Sequence, residues 1–175
     1  MARKGEQTRE RILSRAAELV VQRGFGATSV NDLIRATGVN RGSLYFHFPG
    51  KDDLGVAVLE RAKERFLSFV RDSLAGSTPG KRLDSFLRAA LKAHSAAGFV
   101  GGCLWGNTAL EMSDIDGREP YVEAVRDVFD AWTNLLEEVI AAAQPLGQVR
   151  ADIPAAALAR QMVATIEGGI MLSRV

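Results

Sequence analysis

Apolar residues along this chain recur at intervals of three and four, the period of an α-helix, and the pattern is helical throughout. From Gln7 to about Arg23 the set is Ile12, Leu13, Ala16, Leu19 and Val20; Gly24 ends the helix and Phe25 folds back onto its last turn. A second helix over Ser29–Thr37 turns Val30, Leu33 and Ile34 inward, with Thr28 as its expected N-cap. Gly38 supplies a left-handed residue that redirects the chain, and Asn40 caps a third helix of about two turns. On that helix Leu44 and Phe48 share a face, with Val39 beside them. Pro49 disfavours helical geometry at Phe48 and forces the stop.

Longer helices follow. Asp52 to about Leu74 carries Leu54, Val58, Leu59, Ala62, Phe66, Phe69 and Val70 on a broad apolar face. Ala75–Gly80 is the clearest linker, with Pro79 suited to the first turn of the next helix. That helix carries Leu83, Phe86, Leu87, Ala90 and Leu91 through Arg82–Ala97, and Gly98 closes it. Pro120 opens a helix to about Gln144, whose apolar positions from Val122 through Trp132 to Ile140 are numerous enough for burial on two sides. Pro154 begins a last helix through Leu158, Met162, Ile166, Ile170 and Met171. Met1–Glu6 has no apolar periodicity and is expected to be a disordered arm, either a loose terminus or one that brings Arg3 and Lys4 to phosphate. The expected fold class is all-α: an N-terminal three-helix module over residues 1–50, then a helical bundle domain over residues 51–175.

Charge separates the same two parts. Residues 1–50 carry eight Lys/Arg against four acids, a net +4, and the remainder carries 14 against 17, a net −3. A basic front end on an acidic remainder suits a nucleic-acid module joined to something else. The apolar fraction of 47% is that of a globular protein, and no run reaches the length of a membrane span. The charged start lacks a signal peptide's apolar segment, and the single cysteine excludes an intrachain disulfide, so a cytoplasmic protein with no membrane partner is expected. No Cys/His/acid cluster sits at metal-ligand spacing and no nucleophile–base pair is visible, so neither an enzyme nor a cofactor is expected.

The third helix is too short to be stable alone, so other elements must hold and present it. A helix-turn-helix does this by laying its second helix in a DNA major groove. Arg41 and Ser43 are candidates for base-edge or phosphate contact, and Gly42 lets the backbone approach a phosphate. The start of the second helix, at Thr28 and Ser29, offers free N–H groups to phosphate, and Thr28 is read either as a cap alone or as a cap that also touches phosphate. Asn40, capping the reading helix, belongs to the same candidate surface.

These residues resemble the TetR family of bacterial transcriptional regulators. The match runs through Thr28–Ile34, Gly38-Val39 and Gly42-Ser43-Leu44-Tyr45-Phe46-His47-Phe48-Pro49-Gly50-Lys51-Asp52-Asp53-Leu54, in order and in register. The resemblance implies that Tyr45 and Lys51 touch phosphate and that His47 contacts the DNA backbone. It also implies a homodimer on a near-palindromic double-stranded DNA operator, with repression relieved by a small-molecule effector bound in the bundle. Relatives usually carry a further C-terminal helix, so a truncated chain is an expectation as well.

A second stretch, Gly101-Gly102-Cys103-Leu104-Trp105-Gly106-Asn107-Thr108-Ala109-Leu110-Glu111-Met112, resembles a Gly-Cys-Leu…Gly-Asn…Glu segment of one TetR subgroup. Asn107 and Glu111 are i,i+4 partners in an apolar surround, read either as ligand-orienting groups or as helix cross-links. The effector pocket is expected among Phe66, Phe69, His94, Cys103, Trp105, Asn107, Glu111, Trp132 and Glu167. An alternative reading makes Cys103 a redox or electrophile sensor on the same frame.

Overall fold

The computed structural model describes residues 2–96, 102–113 and 115–173. Among them are eight α-helices and no strand: α1 Ala2–Arg23, α2 Val30–Thr37, α3 Arg41–His47, α4 Lys51–Ser73, α5 Pro79–Ala96, α6 Leu104–Met112, α7 Glu119–Ala143 and α8 Ala155–Leu172. A short 3-10 turn, Gln144–Leu146, follows α7. The expected stop at Gly98 and the glycine at Gly101 lie outside the described residues. No described helix is long and apolar enough to cross a membrane.

Two local expectations are corrected. Met1–Glu6 was expected to be disordered, but α1 already begins at Ala2. Its first turns hold good helix formers, and the Thr8 hydroxyl donates to the Lys4 carbonyl at 3.0 Å. The N-cap of α2 is Ser29, not Thr28. The Ser29 hydroxyl accepts from the Asp32 N–H at 3.2 Å, and the Ser29 N–H donates to the Asp32 carboxylate at 3.0 Å, which closes a capping box. These bonds from Ser29, with Arg35 beside them, hold the Asp32 carboxyl down to about 2.

The chain packs as two units, each built from two separate stretches. One comprises Met1–Lys63 and Leu104–Val125. It buries Ile12, Leu13, Ala16 and Val20 of α1, Leu33 of α2, Leu44 of α3, and Leu54, Val58 and Leu59 of α4. Trp105 and Met112 of α6 and Tyr121 of α7 complete that core. The other comprises Glu64–Cys103 and Arg126–Val175, with Val70, Leu83, Phe86, Val128, Trp132, Leu136, Ile140, Ala159 and Val163 buried. Its turns are tied by polar side chains: Gln148 accepts from the Gly80 N–H at 2.8 Å, and Gln144 donates to the Ile153 carbonyl at 2.8 Å.

Candidate nucleic-acid interface

Three local devices fix the seven-residue helix α3. Gly38 ends α2 in the left-handed region (φ 66°), and the Asn40 side chain accepts from the Ser43 N–H at 2.7 Å. At the other end Phe48 leaves helical geometry (φ −140°, ψ 109°) ahead of Pro49. Leu44 and Phe48 are each 3% exposed and Val39 is buried with them, so the anchor face is inside. The opposite side is outside: Arg41, Gly42, Tyr45 (41%) and Phe46 (83%) are exposed, and Ser43, His47 and Lys51 are half-buried.

The structure therefore brings Arg41, Gly42, Ser43 and Tyr45 onto one short helix, with His47 at its end and Lys51 opening α4. Arg41 reaches across the turn to donate to the Asn31 side chain at 2.9 Å, which links α3 to α2. Asn40 spends its side-chain oxygen on the cap. Thr28 departs from expectation: it is 1% exposed and its hydroxyl donates to the Gly24 carbonyl at 2.7 Å, so it secures the turn and offers no group to a phosphate. Sequence reading missed Phe46. The signal was present, because Phe46 falls midway between Leu44 and Phe48 and so cannot share their inward face. Its ring meets His47 edge-on at 5.1 Å.

Supports for this surface come from α6 and the start of α7. The Glu111 carboxylate accepts from the Phe25 N–H and the Gly26 N–H, both at 2.9 Å, in the turn between α1 and α2. Gly24 takes φ +81° there, and a Cβ on it would stand 2.5 Å from Glu111 Oε1. This corrects the expected place of Glu111 in a ligand pocket, because both carboxylate oxygens are committed to the turn. Beyond α3, Tyr121 donates to the Asp52 carboxylate at 3.1 Å and Arg118 pairs with the same group. The Tyr121 ring is buried and meets Phe25 edge-to-face at 5.1 Å. Burial and the Asp52 charge push its hydroxyl pKa up.

The remaining pocket candidates divide. Trp105, buried, and Asn107, half-buried, belong with Glu111 to the unit holding α1–α3. Phe66, Phe69, His94, Cys103, Trp132 and Glu167 belong to the other unit. There Phe66 meets Trp132 edge-to-face at 5.1 Å, with Phe86 and Phe129 each 6.3 Å from it. Trp132 Nε1 is buried and has no hydrogen-bond partner among the described residues. Phe69 is exposed at 36%. His94 donates through Nδ1 to the Ala90 carbonyl at 2.9 Å and lines an apolar cavity of about 330 Å³ with Leu87, Leu91, Thr165, Ile166 and Ile170.

The Cys103 thiol donates to the Glu167 carboxylate, with His94 near enough to act on it electrostatically. Burial is the dominant influence and raises the Glu167 pKa, against the opposing pull of Cys103 and His94. The folded state then holds this proton more tightly than the unfolded chain does. Its stabilising contribution is fully present below the unfolded value and is lost as pH rises through the folded value. Glu167→Gln is expected to raise the thermal midpoint at neutral pH and to flatten the pH dependence above the ordinary carboxyl range, measured by thermal denaturation across pH. An unchanged pH profile would show that Glu167 is adequately solvated. Among the described residues no group of three His, Cys, Asp or Glu could hold a metal ion.

A capped helix-turn-helix that presents Arg, Tyr and Phe outward from an inward apolar anchor defines a DNA-binding protein. Residues 12–58 match the family model for bacterial regulatory proteins of the tetR family, and residues 79–175 match that for the tetracyclin repressor-like C-terminal domain. The chain is 32% identical over 169 residues to the HTH-type transcriptional regulator LmrA of Bacillus subtilis (strain 168), covering 95% of this chain and 86% of that protein. It is 25% identical over 173 residues to the HTH-type transcriptional repressor DhaR of Mycobacterium sp. (strain GP1), covering 95% and 82%. The crystal structure of a TetR transcriptional regulator from Chloroflexus aurantiacus J-10-fl superposes with a TM-score of 0.86 at 34% identity, covering 98% of this chain and 86% of that one. The chain belongs to the TetR family of bacterial transcriptional regulators.

Proposed function

We propose that this regulator is a cytoplasmic repressor that binds a near-palindromic operator as a homodimer and is released by a small molecule. The observation that carries the DNA half is the outward row of Arg41, Tyr45 and Phe46 on a helix whose other face is fully buried. An arginine suits the guanine edge, a tyrosine hydroxyl suits a phosphate, and an exposed phenylalanine suits a thymine methyl. Two such helices read half-sites on one DNA face when they stand about 34–36 Å apart.

The effector half is supported by the unpartnered Trp132 N–H inside an aromatic cluster and by the apolar cavity beside His94. A mostly apolar ligand carrying a hydrogen-bond acceptor would satisfy such a donor. Release follows if the ligand favours an arrangement in which the two reading helices no longer fit both half-sites. The alternative is a sensor thiol at Cys103, whose acceptor is the Glu167 carboxylate, with His94 acting on the same carboxylate. Cys103→Ser separates the two: induction by a reversible ligand survives in the first and oxidant response disappears in the second.

The test of the DNA reading is binding of the full chain to the DNA flanking its own gene over a salt series. Affinity is expected to fall steeply with salt. Arg41→Ala should weaken operator binding about tenfold, and Tyr45→Phe should weaken it less. Binding no tighter than to random DNA would overturn the self-regulated operator.

A further inference from the structure

The same short segment touches both ends of the reading module. Ahead of α2, Glu111 of α6 holds two consecutive N–H groups, those of Phe25 and Gly26. Behind α3, Arg118 and Tyr121 hold Asp52 in the first turn of α4. Between these points lie Ser29, Asn31, Asn40, Arg41 and the whole of α3.

The Glu111 contact is shaped for a carboxylate. Two adjacent backbone donors converge on two oxygens, a charge-assisted pair stronger than neutral bonds. The turn that supplies them depends on small residues: a Cβ at Gly24 would stand 2.5 Å from Oε1, and one at Gly26 would stand 3.1 Å from it. Phe25, between them, is buried against Tyr121, so the turn is fastened from both sides. Shifting Glu111 therefore moves the turn, or takes the acceptor from the part-buried Phe25 N–H and hands the exposed Gly26 N–H to water.

We propose that Glu111 is a positioning residue for DNA recognition: by gripping the turn between α1 and α2 it sets the placement of α2 and α3, without touching DNA itself. The inference rests on the DNA reading proposed above, and it assigns to α6 a part in operator affinity that its distance in sequence from α3 would hide. Glutamine at 111 is the informative substitution. It keeps size and one acceptor but turns an NH2 towards a backbone N–H, donor against donor.

The experiment compares wild type, Glu111→Gln and Glu111→Asp as full chains. Backbone amide NMR reads the Phe25 and Gly26 signals and those of residues 38–48, and binding is measured to the operator and to random DNA over salt. Circular dichroism and thermal midpoint check that each variant is folded. In Glu111→Gln one of the two amides, Phe25 or Gly26, should lose its hydrogen-bonded shift and exchange faster, with shifts propagating into residues 38–48. Operator affinity should fall by about tenfold and random-DNA affinity by less, because base-edge contacts demand closer placement of α3 than phosphate contacts do. Glu111→Asp, one methylene shorter, should not restore either readout.

Unchanged signals at residues 38–48 in a folded Glu111→Gln would overturn the proposal, as would operator affinity equal to wild type. If wild type itself shows no operator preference, the DNA reading fails instead. The amide signals at residues 38–48 would then still decide whether Glu111 places α3.

Discussion

Leu44→Ala should lower the stability of the protein by about 2–4 kcal/mol and reduce operator binding more than Arg41→Ala does, although Leu44 points into the core. Leu44 is the one buried residue within α3, so it is the side chain that fastens the reading helix to its module. A seven-residue helix has almost no stability of its own. Removing three carbons from its anchor leaves a void that Val39 and Phe48 cannot close without moving the helix. Urea denaturation followed by circular dichroism gives the stability change as a lower midpoint with an unchanged slope, and operator titration gives the binding change. A variant as stable as wild type that still bound the operator would mean that the caps at Asn40 and Phe48, rather than the buried leucine, hold α3.

Gly55→Ala should reverse the usual sign of its substitution. Glycine inside a helix is normally the worse residue, by about 1 kcal/mol relative to alanine. Gly55 lies within α4, yet a Cβ there would stand 2.8 Å from Cε1 and Cζ of Tyr121. That ring is not a flexible tip: it is 2% exposed, packed edge-to-face on Phe25 and bonded through its hydroxyl to Asp52. The overpacking is therefore expected to outweigh the gain in helix propensity, for a net loss of about 2 kcal/mol. Tyr121→Phe in the same background should recover part of the loss, because it removes the atom nearest the new methyl. A Gly55→Ala variant more stable than wild type would refute the packing argument outright.

The local devices of the reading module were legible because each lies within a few residues of what it acts on. Gly38, Asn40 and Pro49 are turn, cap and stop on sequence spacing alone, and all three occupy those roles. The shift of the cap from Thr28 to Ser29 was also readable. Only Ser29 places an acid, Asp32, at the third helical position, where it can return the hydrogen bond. Phe46 was overlooked because an aromatic two residues from Phe48 looks like core until the helical angle is counted. Glu111 was misplaced for a different reason. Its partners lie 86 and 85 residues away, and a local i,i+4 reading with Asn107 had no means of finding them. The one trace in the sequence was the pair of glycines flanking Phe25. The first turns of α1 were missed because a lack of apolar periodicity was taken for a lack of helix, whereas a polar helix can run on from an anchored one.

The dependence of α1–α3 on Glu111, Arg118 and Tyr121 limits how portable the reading head is. A hybrid regulator made by grafting residues 1–50 onto a foreign bundle would carry the whole recognition surface but leave the Phe25 and Gly26 amides without their acceptor and Phe25 without its aromatic neighbour. The transplantable piece is discontinuous: residues 1–63 together with residues 104–125. If the exposed face of α3 reads the operator as proposed, specificity swaps are best made by changing its side chains and leaving the scaffold beneath it native.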